Sequence, residues 1–80
     1  MKGRGVAQND VEAVRLYRKA ADQNFANAQN NLGWMYLNGR GVARDLNKAG
    51  IWFRKAASSS DPETVKNARD FMKQNKISFD

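Results

Sequence analysis

The sequence predicts an all-α protein, an α/α superhelix (solenoid) of about two helix-turn-helix repeats of 36 residues. Three observations carry that expectation. The word Gly-Arg-Gly-Val-Ala stands at residues 3–7 and again at 39–43. Apolar residues after each copy recur at helical spacing. Residue types that start and stop helices sit at the ends of those apolar stretches.

Laying residues 3–38 over 39–74 without gaps also matches Ala13 with Ala49, Arg18 with Arg54, and Asn31 with Asn67. It matches Lys19, Ala20 and Ala21 with Lys55, Ala56 and Ala57, and it sets Leu16 on Trp52 and Tyr17 on Phe53. A fixed period of this length marks one supersecondary unit repeated along the chain. Residues 1–80 therefore read as a single repeat domain, with units at 3–38 and 39–74 and a tail at 75–80.

The first helix of each unit carries its apolar residues at i, i+3, i+4, i+7 and i+8. These are Ala13, Leu16, Tyr17, Ala20 and Ala21 in one, and Ala49, Trp52, Phe53, Ala56 and Ala57 in the other. Asn9 or Asp10 is the expected N-cap of the former and Asp45 of the latter. The second helices place Ala28, Leu32, Met35 and Tyr36, and Val65, Ala68, Phe71 and Met72, on one face each. Asp61 is placed to cap the last helix, and Pro62 sits at its first position, where a missing N–H costs nothing.

Gly39 follows Asn38 where a left-handed C-cap belongs. The repeated word thus reads as punctuation in both copies. One glycine ends a helix, the next lets the chain turn tightly, and the valine plugs the turn into the core. The alanine pairs allow neighbouring helices to approach closely.

Composition removes several functions. Cysteine and histidine are both absent, which excludes disulfides, thiolate or imidazole zinc ligands, and His-assisted triads. No apolar run approaches a membrane span and the N-terminus lacks a signal-peptide core, so a cytoplasmic setting is expected. Fourteen Lys and Arg against eight Asp and Glu give a net charge of +6, which invites acidic partners. The basic residues are spread along the helices, with no run longer than two.

Residues 28–57 resemble the Sel-one-like repeat, a relative of the tetratricopeptide repeat. The resemblance rests on Ala28, Leu32, Gly33, Tyr36, the turn Gly39, Gly41 and Val42, then Asp45, Lys48, Ala49, Trp52, Phe53, Lys55, Ala56 and Ala57. It extends over essentially the whole chain. Leu16 stands where an aromatic is usual, and the last helix has Ala68, Arg69 and Met72 where leucine, glycine and tyrosine are usual, as in a terminal cap. The resemblance implies a non-enzymatic scaffold that binds proteins or peptides, in bacteria often in stress, envelope or host-interaction pathways, with no cofactor and no metal.

Opposite the apolar faces of the two first helices lie Arg15 and Arg18, and Ile51 and Arg54. By similarity to tetratricopeptide solenoids these four are expected to line a shallow basic concave groove. There an isoleucine among arginines suits an acidic peptide with an apolar residue, although the same residues also fit an ordinary solvated face. Trp34 and Leu37 lie off their helix's stripe and fit either packing against the next repeat or a partner surface. Nucleic-acid binding through the positive charge is the alternative, and a homodimer through the uncovered edge of the first helix is a further expectation. The Gly-Arg-Gly word lacks the third glycine and the preceding strand of a phosphate loop. Asp10 with Glu12 and Asp61 with Glu63 serve helix starts, and nothing sets two carboxylates across a cleft for catalysis.

Overall fold

The computed structural model describes residues 2–77, with side chains from residue 9 onward. It has four helices: α1 (Lys2–Ala21), α2 (Ala26–Asn38), α3 (Leu46–Ala57) and α4 (Pro62–Gln74). No strand occurs among the described residues, and the fold is the all-α helical repeat expected. None of these helices is long and apolar enough to cross a membrane.

Local chemistry sets most of the boundaries. Asp45 is extended and accepts the Lys48 N–H at 3.1 Å, so it caps α3. Pro62 opens α4, where Asp61 accepts the Thr64 hydroxyl and makes no side-chain bond to a backbone N–H. Gly39 is left-handed, at φ 64 and ψ 40, and its N–H bonds the Met35 carbonyl, which ends α2. The turn after α1 contains Asn24 at φ 70, and Gln29 closes it from α2 by donating to the Ala21 carbonyl at 3.2 Å.

The two copies of the repeated word differ. Residues 39–43 form the expected turn, whereas residues 3–7 lie inside α1. Asn9 and Asp10 are therefore interior to a helix and cap nothing, contrary to expectation. The second copy is held by its surroundings: its Arg40 N–H bonds the Met35 carbonyl, and the Asp45 N–H bonds the Tyr36 carbonyl. A Cβ on Gly41 would stand 2.4 Å from the Asp10 carbonyl oxygen, so the turn lies directly on α1. Among the described residues no helix precedes α1 from which the first copy could turn, and continuing the helix satisfies its backbone.

α2 lies at the centre, packed on α1 and α3 and touching α4. Phe53, Leu32 and Met72 are the largest fully buried side chains, and Phe53 stacks on Phe71 with ring centroids 5.4 Å apart. Gly33 makes this packing possible, because a Cβ there would come within 2.9 Å of the Phe53 ring. Ala21, Ala49, Ala56 and Ala68 are likewise buried where helices meet.

Several core assignments shift. Leu16 is 53% exposed, and Val14 is buried on α1 instead. Trp52 is only partly buried, with the Lys55 ammonium 5.1 Å from its ring centroid. On α4, Thr64 is buried while Val65 is half-buried. Leu37 is buried in the core, but Trp34 turns toward α1 and lines a groove with Ala13 and Tyr17.

Candidate partner-binding face

Helices α1 and α3 are equivalent under the repeat and both pack on α2, so each turns its opposite face outward. The four residues expected to form the groove occupy these faces in different ways. Arg15 is exposed and paired with Glu12 one turn away, within its own helix. That hydrogen bond, then the charge behind it, holds the Glu12 carboxyl below its ordinary range and raises the Arg15 guanidinium above its own. Both side chains are exposed, so the pair is solvent-screened.

Arg18 reaches along α2 and its guanidinium donates to the Tyr36 hydroxyl. Ile51 is 45% exposed on α3 and free to meet an apolar group. Arg54 folds back toward Gly50, where the absence of a side chain leaves room: a Cβ there would lie 3.2 Å from the guanidinium nitrogen. Arg54 also shares an open cavity of about 270 Å³ with Ala57, Arg69 and Met72. Arg18 thus reaches the helix that follows its own, whereas Arg54 lies over Gly50 of its own helix.

The structure adds Tyr36, which sequence reasoning placed in the core, and brings Lys48 to it. Tyr36 is buried, as a core tyrosine should be, yet its hydroxyl meets Arg18 from α1 while the Lys48 ammonium of α3 lies 5.6 Å from its ring centroid. A single aromatic therefore gathers a cation from each of two successive repeats. The available signal was the hydroxyl: a buried tyrosine needs a polar partner for its tip, and helical spacing alone does not name that partner.

On the other side of α2, Arg40 pairs with Asp10 at 2.8 Å and lies 5.8 Å from the Trp34 ring centroid. Among the described residues no group of acidic side chains is arranged to hold a metal ion.

Paired helices stacked at a fixed period, with a half-polar outer face, define a helical-repeat module. The Sel1 repeat model matches residues 1–25 and 26–61, and the chain belongs to the Sel1 repeat family, whose repeats mediate protein–protein contacts. The family's frame runs from α2 through α3, while the internal repeat read from residue 3 pairs α1 with α2; the two frames cut one periodic chain at different phases.

Three curated relatives are fungal. The chain is 37% identical over 54 residues to a chitin synthase regulator SKT5 of Malassezia restricta, a match covering 68% of the chain and 4% of the relative. It is 32% identical over 65 residues to chitin synthase regulatory factor 3 of Schizosaccharomyces pombe, covering 80% and 7% respectively. With chitin synthase regulator SKT5 of Saccharomyces cerevisiae the identity is 31% over 62 residues, covering 78% and 9%. The chain therefore spans less than a tenth of the length of these relatives, and they lend no support to the bacterial setting that the resemblance implied. No solved structure matches it.

Proposed function

We propose that the chain is a non-enzymatic scaffold element whose α1 and α3 faces form a shallow basic groove for a protein or acidic peptide partner. Arg15, Arg18, Ile51 and Arg54 carry the contacts, joined by Lys48. The observation that supports this reading is the convergence of Arg18 and Lys48, from successive repeats, on Tyr36. Two cations fixed on one aromatic favour an acidic side chain, and the exposed Ile51 supplies an apolar anchor beside charge. The relatives are named as regulators of an enzyme, which supports a regulatory scaffold over a catalyst. Nucleic acid fits less well, because the aromatics that would stack on bases are largely packed in or against the core.

A pull-down from lysate of the source organism, with and without nuclease, tests the proposal. A protein that is retained after nuclease by the wild-type chain and lost by an Arg18→Ala, Ile51→Ala double variant is the expected result. Recovery of nucleic acid alone, with every protein removed by nuclease, overturns it.

A further inference from the structure

We infer that the turn after α4 is a latch on the groove: Ile77 occupies a notch over Gly50, and a branched aliphatic residue of an acidic partner peptide binds there by displacing it. This inference rests on the groove reading above and adds how access to it is regulated.

The notch departs from the chain's own pattern. A shift of 36 sets Val14 on Gly50 and Gly41 on Ile77. In the first unit the helix carries the side chain, since Val14 is buried on α1, and the turn carries a glycine whose backbone lies on Asp10. In the second unit the two are exchanged. α3 has a glycine in its interior, where it weakens a helix, and the turn takes the space of the missing side chain. A Cβ on Gly50 would stand 3.0 Å from Ile77 Cγ2 and 3.2 Å from an Arg54 guanidinium nitrogen. The notch thus holds an aliphatic side chain beside a cation, and an apolar residue next to an acid matches it.

Ile77 fills only part of this space. Leu46, Asn47, Arg54 and Lys76 line an open cavity of about 260 Å³ with Gly50 and Ile77. Leu46 is 40% exposed there, so an incoming apolar group has a second surface to meet.

The hold on Ile77 is also slight. The turn at 39–43 is clamped by the Arg40–Asp10 pair, by the Asp45 N–H on the Tyr36 carbonyl and by Arg44 on the Leu37 carbonyl. Among the described residues, the hydrogen bonds of Asn75, Lys76 and Ile77 all run back into α4, that of Ile77 going from its N–H to the Met72 carbonyl at 2.8 Å. Lys76 takes a left-handed backbone at φ 57, which costs a residue that has a side chain. One half-buried side chain and a strained residue make a segment that opens locally while α4 stays seated by Ala68 and Met72.

The test titrates the isotope-labelled full chain with the peptide acetyl-Glu-Asp-Ile-Asp-Glu-amide, followed by amide chemical shifts, and repeats the titration with glycine in place of the peptide's isoleucine. Ile77→Ala should bind the first peptide about fivefold tighter than wild type, because its notch is no longer closed by the chain's own side chain. Adding Gly50→Val to Ile77→Ala restores the first unit's pattern on the helix, and should return the affinity to the wild-type value or below. Ile77 lies beyond α4, so circular dichroism of Ile77→Ala should match wild type. Equal or weaker binding by Ile77→Ala, undiminished binding by the double variant, or equal binding of the glycine peptide overturns the inference and leaves the basic groove standing. Absence of binding by every chain, Ile77→Ala included, overturns the groove reading and this inference with it.

Discussion

Residues 3–7 and 39–43 spell the same five amino acids, yet one copy is helix and the other a turn with two left-handed glycines. The difference lies in what surrounds them. The second copy leaves a helix that has somewhere to turn: α1 lies under Gly41, the Met35 and Tyr36 carbonyls accept N–H groups, and Arg40 pairs with Asp10. The first copy has none of these partners among the described residues, and two glycines stay helical because the helix satisfies the backbone. Glycine permits the turn, and tertiary contact selects it.

The largest effect should follow from Gly41→Ala. Gly41 sits at φ 76 with the Asp10 carbonyl oxygen 2.4 Å from where a Cβ would stand. Left-handed strain and backbone displacement together should cost about 3 kcal/mol, read as a lowered denaturant midpoint in equilibrium unfolding. A loss below about 0.5 kcal/mol would mean that the turn does not lie on α1 as described.

A smaller contrast separates the two expected N-caps. Asp45→Ala should cost about 1 kcal/mol, because the Lys48 N–H loses its acceptor. Asn9→Ala, one period earlier, should cost nothing and slightly stabilise, since Asn9 lies exposed within α1 and alanine is the better helix former. Equal losses at both sites, measured by the same unfolding experiment, would show that the first helix begins near residue 10 after all.

These contrasts also show what was legible before the structure. The registers of α2 and α3, the Asp45 cap and the Gly39 stop follow from neighbours within a few residues, and the sequence displays those directly. Leu16 and Trp52 share a register but not an environment: Trp52 is partly buried against the core, whereas Leu16 stands half exposed among the described residues. Helical spacing leaves Trp34 open for the same reason, and the structure turns it toward α1. The basic residues of the groove were legible as a face, whereas their gathering on Tyr36 was not. Helical spacing gives the direction of a side chain but not the partner that a long, flexible cation selects from the next repeat.

The smallest effect carries the sharpest sign. Gly5 occupies the place of Gly41 in the first copy, so the same substitution can be made at both. Within α1 the glycine loses more conformational freedom than alanine would, and Gly5→Ala should raise stability by about 0.5 kcal/mol while Gly41→Ala lowers it. Measured side by side in one denaturant series, the two variants should move the midpoint in opposite directions. If a partner helix or a longer chain draws residues 3–7 into the turn that 39–43 adopt, Gly5 comes to need a left-handed backbone and the sign reverses. Gly5→Ala would then weaken that association, and comparing the variant free and bound reads directly which conformation the first copy takes.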